Sequence, residues 1–272
     1  LTVKERIIIP DSLRWDGRSF EGNVVANGSY RYYLEAWDDQ GNHSRSDLRT
    51  VVVDTDPPKG SVRVLDYVFS PNDDGNKDQL VIQQQLSEQD LWQAHILDST
   101  GIAVAEFNWD KDFPSRTVWD GRQNDGSMAE DGIYSYHAVG IDRAGNRTEL
   151  RVPNIIVNTQ ATPIYVRVSD AAISPNGDGE DDVTIYQIDV PVLSGVQKWG
   201  LVIHNSDGNL VRQYSGRLEV PEELVFDGRD DSGNSLPEGL YSARLDVTYE
   251  NGNQPHADSP DVLIDVTKPS AT

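Results

Sequence analysis

Asn72, Asp74, Asn76 and Asp78 set an oxygen-bearing side chain at every second position of FSPNDDGNKD, residues 69–78. Asn176, Asp178, Glu180 and Asp182 do the same in ISPNGDGEDD, which begins 104 positions later (69 to 173). Oxygens spaced in this way, with a glycine to bend the backbone inward, can wrap a hard cation such as Ca2+. The same residue types also build a solvated Asx turn, whose side chains cap the local backbone. A turn alone does not require Asp74 and Asp78 to return as Asp178 and Asp182 while the aromatic of another recurring phrase drifts. The expected metal ligands are therefore these eight residues, and the expected cofactor is Ca2+.

The spacing resembles the opening of an EF-hand loop, with two departures. The glycine stands at the fourth loop position (Gly75, Gly179), and position twelve holds Gln83 or Gln187 where an EF-hand has a bidentate glutamate. Further ligands must then come from elsewhere. A second candidate site joins Asp54 and Asp56 with Asp38 in a nearby hairpin; the equivalent linkers carry Asp265, or Asn158 and Gln160.

Catalytic chemistry is not indicated. His43, His95, His137, His204 and His256 do not align with one another between repeats, and no nucleophile elbow, His-Glu-x-x-His or phosphate loop is present. The expectation is that the chain is not an enzyme. A formal net charge of −22 over 272 residues excludes a basic stripe for nucleic acid. The chain has no cysteine, hence neither disulfides nor thiolate metal sites. No apolar run approaches the ~18 residues of a membrane span, so no membrane insertion is expected of this segment. An acidic, cysteine-free, repetitive chain suits an extracytoplasmic setting: cell surface, secreted or periplasmic.

The elements that carry these residues repeat. Shifted by 107 (92 to 199), Trp92 meets Trp199, WDGR at 119–122 meets FDGR at 226–229, and DGIY at 131–134 meets EGLY at 238–241. AGN at 144–146 meets NGN at 251–253, and, with the shift grown by one to 108 (156 to 264), IVNT at 156–159 meets IDVT at 264–267. Shifted by 104 (15 to 119), WDGR at 15–18 meets WDGR at 119–122, NGSY at 27–30 meets DGIY, and DDQGN at 38–42 meets DRAGN at 142–146. Leu1 thus corresponds to Ala105, in mid-repeat. The expected domains are 1–58, the C-terminal part of a truncated repeat, followed by complete repeats at 59–162 and 163–272. VDTDPPKGS at 53–61 and NTQATP at 158–163 read as short proline-stiffened linkers, and VTKPSAT at 266–272 as another.

Period-two alternation recurs in SVRVLDYVF (61–69), QLVIQQQL (79–86), YRYYLEAW (30–37), YSYHAVGI (134–141) and YSARLDV (241–247), with Asp-Gly and Thr-Gly turns between the runs. About seven strands in about 100 residues predict an all-β chain of tandem immunoglobulin-like β-sandwich domains, elongated. In the Trp-Asp-Gly-Arg phrase, Trp15, Trp119 and Phe226 are expected to fill cores and the glycine to turn the chain with positive φ. The sequons at Asn27, Asn42 and Asn146 read as turns.

Ser-Pro-Asn-x-Asp-Gly, a strand with Trp, Trp-Asp-Gly, Asp-Gly-x-Tyr and a closing x-Gly-Asn together resemble the immunoglobulin-like domain of flagellar hook-capping proteins. Such units recur in tandem in large surface or periplasmic proteins of spirochaetes and related bacteria. The pattern is also similar to the gliding-motility C-terminal sorting domain of Bacteroidetes, which carries the same Pro-Asn-Gly-Asp-Gly phrase. The resemblance implies a non-catalytic spacer or adhesion segment of a larger bacterial surface or periplasmic protein, rigidified by Ca2+, with adjacent repeats of the same polypeptide as its first partners. The alternative is a carbohydrate- or protein-binding module, for which Trp37, Trp109 and Tyr249 are the exposed-looking aromatics.

Overall fold

The computed structural model describes residues 12–88, 91–109 and 113–268, and among these there is no helix. The N-terminal region holds β1 (Gly28–Tyr32), β2 (Glu35–Trp37), β3 (His43–Arg45) and β4 (Arg49–Val53). β1 pairs antiparallel with β4, and β2 with β3 across the 38–42 turn.

The next region holds β5 (Gly60–Val64), β6 (Val68–Phe69), β7 (Leu80–Leu86), β8 (Leu91–Leu97), β9 (Ala103–Asn108), β10 (Arg116–Trp119), β11 (Gly132–Ile141) and β12 (Arg147–Val157). They form one sheet in the order β10-β7-β5 and a second in the order β6-β12-β11-β8-β9. The last region repeats this plan with β13 (Tyr165–Val168), β14 (Ala172–Ile173), β15 (Thr184–Asp189), β16 (Val196–Asn205), β17 (Leu210–Gly216), β18 (Glu223–Phe226), β19 (Gly239–Tyr249), β20 (His256–Asp258) and β21 (Val262–Ile264). Its sheets run β13-β15-β18 and β14-β21-β19-β16-β17, with β20 against β19. Two sheets packed face to face, each contributing alternate residues, are the immunoglobulin-like sandwich.

Alternation fills two separate cores. Leu80 and Ile82 of one sheet share a core with Trp92, Ala94 and Ile96 of the other and with Tyr136 and Ala138 on the neighbouring strand, and all are 1% exposed or less. Tyr186, Leu201, Ile203, Leu245 and Val262 do the same in the last region. No residue belongs to both clusters, so each sandwich buries its own apolar surface.

Two expected strands are broken. Residues 61–69 are not one strand: β5 pairs with β7, the chain leaves the sheet at Leu65–Tyr67, and β6 joins the other sheet parallel to β12. β13 and β14 make the same switch, β14 lying parallel to β21. Residues 30–37 likewise divide into β1 and β2, which have different partners. The start of the 1–58 unit and the end of the 266–272 linker lie outside the described residues.

Candidate functional site

The two Ser-Pro-Asn loops share one hydrogen-bond pattern. Asp78 accepts from the Asp73 amide on Oδ1 and the Gly75 amide on Oδ2, each at 2.8 Å. Asp182 accepts from Gly177 and Gly179 at 2.8 and 2.9 Å. Asn72 Oδ1 accepts from the Asp74 amide at 3.2 Å, and Asp74 Oδ1 from the Asn76 amide at 2.7 Å. Asn176 and Asp178 repeat these two bonds at 2.9 Å each, to Asp178 and Glu180. Ser70 N to Lys77 O at 2.9 Å, and Ser174 N to Asp181 O at 2.7 Å, close the loops.

The sequence folds locally this way because positive φ falls at Asp73 (62°), Gly75 (87°) and Lys77 (52°), and again at Gly177 (84°), Gly179 (90°) and Asp181 (52°). Alternating handedness turns successive amides inward, and a carboxylate in that concavity satisfies them. These amide donors hold the Asp182 carboxyl below its ordinary range. Asn76 Oδ1 accepts from Gln254 Nε2 at 3.4 Å, while Glu180 is exposed. Chemically, the loops are self-capped Asx turns with outward lone pairs to spare.

Among the described residues, no group of three or more His, Cys, Asp or Glu side chains is gathered as metal ligands. Asp38, Asp54 and Asp56, the second candidate site, are accordingly not gathered together. Asp38 instead caps its own hairpin through the Gln40 and Asn42 amides at 2.9 and 2.8 Å, and Asp54 Oδ1 accepts from Asp56 N at 3.0 Å.

Every residue of the Trp-Asp-Gly-Arg phrase has an internal task. Trp119 is 2% exposed and donates its indole N–H to Arg122 O at 2.8 Å; Asp120 caps the Arg122 amide at 3.1 Å. Arg122 then donates to Gly126 O at 3.1 Å, as Arg18 does to Gly22 O at 2.9 Å and Arg229 to Gly233 O at 2.9 Å. Phe226, with no N–H to place, is fully buried, whereas Trp15 does not fill a core as expected: it keeps the indole bond to Arg18 O at 2.7 Å but is 46% exposed among the described residues. In the Asp-Gly-x-Tyr phrase, Tyr30, Tyr134 and Tyr241 each donate to the carbonyl four residues upstream at 2.8 Å. That is a tyrosine corner in every copy. The residue at the head of the phrase clamps the exit of the unit: Asn27 accepts from Thr55 N at 3.0 Å, Asp131 from Thr159 N at 2.8 Å, and Glu238 from Thr267 Oγ1 at 2.8 Å.

Of the aromatics read as exposed, only Trp37 is open, at 64%, with its ring stacked on His43. Trp109 packs against Phe107 and Phe113. Tyr249 corrects the expectation outright: it is 3% exposed and donates to Val192 O at 2.7 Å. A shallow groove lined by His204, Arg244 and Ser259 offers no assembled nucleophile. Arg244 pairs with Asp258 at 2.7 Å, and Ser259 Oγ bonds the backbone of Pro260 and Ala243.

The sequence matches two family models, one on each complete sandwich. Residues 62–149 match the type IX secretion signal domain (CHU_C), and residues 173–252 match the FlgD Ig-like domain. The chain is a tandem array of immunoglobulin-like sandwiches, and two copies of one architecture are similar to two families. No curated protein matches it. Among solved structures, a tetra-tandem repeat in the extending region of a large adhesion protein is 17% identical over 90% of this chain and 59% of that one, with a TM-score of 0.36. The chain thus spans less than two thirds of that relative. The chicken CNTN1 FN1-FN3 domains are 11% identical over 87% of this chain and 75% of that one, at 0.44. The fibronectin(III)-like modules of Clostridium thermocellum CbhA are 13% identical over 73% and 92%, at 0.38. Likenesses of this degree say nothing of function.

Proposed function

We propose that this chain is a non-catalytic structural or adhesion segment of a larger extracytoplasmic protein, in three units at 1–58, 59–162 and 163–272. One observation carries the reading: the residues that recur between copies bond to the fold itself. Carboxylates cap amides, arginines and tyrosines reach carbonyls, and in the two complete sandwiches Trp119 and Phe226 fill cores. The match of residues 62–149 to a secretion signal domain supports the location. An accessible surface of 18572 Å2 on 30.2 kDa supports the extended form. A compact monomer of that mass exposes about 11,700 Å2.

Calcium is the finer part of the proposal. Asn72, Asp74, Asn76 and Asp78, with Asn176, Asp178, Glu180 and Asp182, would hold it through lone pairs left after the internal bonds. What supports it is the oxygen spacing; against it stands the pairing of Asp78 and Asp182 with amides through both oxygens.

A binding role is the second reading, favoured by Tyr32, Tyr33, Leu34 and Trp37, all more than 40% exposed within one short stretch. A glycan array and a hydrolase screen on the full chain separate the two. The spacer reading expects no selective glycan and no turnover. Selective binding lost in Trp37→Ala would replace it with the binding module.

A further inference from the structure

We infer that the Ser-Pro-Asn loop is the receiving half of a joint between successive repeats, and that the x-Gly-Asn hairpin of the following repeat is the inserting half. The inference rests on the spacer reading and deepens it, assigning the loop a partner surface. The hairpin after β19 reaches back in two directions. Asn251 Nδ2 donates to Asn158 O at 3.0 Å, and Asn253 Nδ2 to Gln160 O at 2.9 Å, both on the linker. On the loop of the preceding repeat, Lys77 Nζ donates to Glu250 O at 3.0 Å and Gln254 Nε2 to Asn76 Oδ1 at 3.4 Å. Asn72 Nδ2 lies 3.5 Å from Asn253 Oδ1. Between them Gly252 is buried, and a Cβ there would stand 2.6 Å from Asn76 O and 2.9 Å from Lys77 Cβ. Only a glycine lets the two backbones approach so closely.

The other copies serve as controls. The loop at 174–182 has the same internal bonds, yet Glu180 and Asp181 are exposed where Asn76 and Lys77 are half-buried. Ser174 is half-buried where Ser70 is fully buried. The hairpin glycines Gly41 and Gly145 face open space. The linker half of the joint is nevertheless repeated, since Asn146 Nδ2 donates to Asp54 O at 3.0 Å and Thr148 Oγ1 to Pro58 O at 2.6 Å. The loop's fold is thus independent of the contact, while its burial follows the contact. Loop 174–182 is the free receiving surface, suited to an Asn-Gly-Asn type hairpin of a further repeat.

The chain has no cysteine, so Gln93→Cys and Ser215→Cys introduce a unique pair of spin-label sites on exposed strand positions of the two sandwiches. Pulsed dipolar spectroscopy on the full chain should give one narrow distance. Gly252→Val, and separately Asn76→Ala with Lys77→Ala, should each lose that single distance to a broad distribution, and in the loop-side variant both sandwiches should melt as before. The loop-side variant guards against strain within the hairpin, because Gly252 has a φ of +102°. A broad distribution in the parent, or narrow distances surviving in the loop-side variant, would overturn the joint. The spacer reading would then stand on a flexible chain; selective glycan binding would sink that reading without touching this one.

Discussion

The ring of Pro71 fills the space that a side chain on Gly121 would need, its Cγ 2.6 Å from where a Cβ would sit. Pro175 stands over Gly228 in the same way, at 2.7 Å. The Ser-Pro-Asn and Trp-Asp-Gly phrases, 50 residues apart in sequence (71 to 121), are therefore two sides of one contact. In the two complete sandwiches, each therefore bears on the other.

Gly121→Ala and Gly228→Ala should each destabilise their own sandwich by about 2–4 kcal/mol, combining left-handed strain with overpacking. Gly17 has the same positive φ, 77°, but open space around it, so Gly17→Ala should cost about 1–2 kcal/mol. Denaturant melts of the three variants check the ordering. Equal costs would mean that the proline contact contributes nothing.

Two buried tyrosines make opposite predictions. Tyr136 donates to Gln84 Oε1 at 2.7 Å, and Gln84 Nε2 donates to Pro114 O and Thr117 Oγ1 at 2.9 and 3.1 Å. Tyr136→Phe leaves that buried oxygen unpaired and should cost about 1–3 kcal/mol. The Tyr186 hydroxyl has no partner among the described residues, so Tyr186→Phe should be neutral or stabilising by up to about 1 kcal/mol. Thermal melts of both variants give the comparison, which a loss in Tyr186→Phe would contradict.

Acid should loosen the hairpins and loops. Side-chain donation from Asn146 first, then the hairpin amides, holds Asp142 below its ordinary value of 3.8; Asn42 and Asn234 do the same for Asp38 and Asp230. Amides alone do so for Asp182. A carboxyl depressed in the folded state contributes stability that is full above its unfolded value and lost as pH falls through its folded one. Melting temperature should stay level from neutrality to about pH 5 and decline below about pH 4. Asp142→Asn should make the acid limb shallower; an unchanged limb would sink the assignment.

For calcium, a ligand that binds only the folded state stabilises by about 2.7 kcal/mol at a hundredfold excess over Kd. If the loops hold the ion, melting should rise by several degrees from EDTA to millimolar calcium, beyond the effect of sodium at equal ionic strength. Asp74→Ala with Asp178→Ala should abolish the calcium-specific part. Identical melts in EDTA and calcium would reduce both loops to turns, and the spacer reading would survive.

Much of this was legible because repetition samples the same local physics three times. The aromatic of Trp-Asp-Gly-Arg could be read as core because Trp119 is exchanged for Phe226. What the sequence hid was long-range. Residues 61–69 alternate well enough for one strand, but alternation does not say which sheet a residue faces, and the chain changes sheets at Leu65–Tyr67. Tyr249 was misread although the signal was present: it continues the inward series Tyr241, Ala243, Leu245 and Val247 on β19. The Gly252 contact with Asn76 spans 176 positions (76 to 252), and no local pattern announces it.

The most direct test of the central claim, an extended array of sandwiches, is small-angle X-ray scattering of the full chain. A compact fold of 272 residues would have a radius of gyration of about 18.5 Å. The array predicts a clearly larger value, with a pair-distance distribution that peaks early at the width of one sandwich and trails to long distances. A symmetric distribution with a radius near the compact value would contradict it.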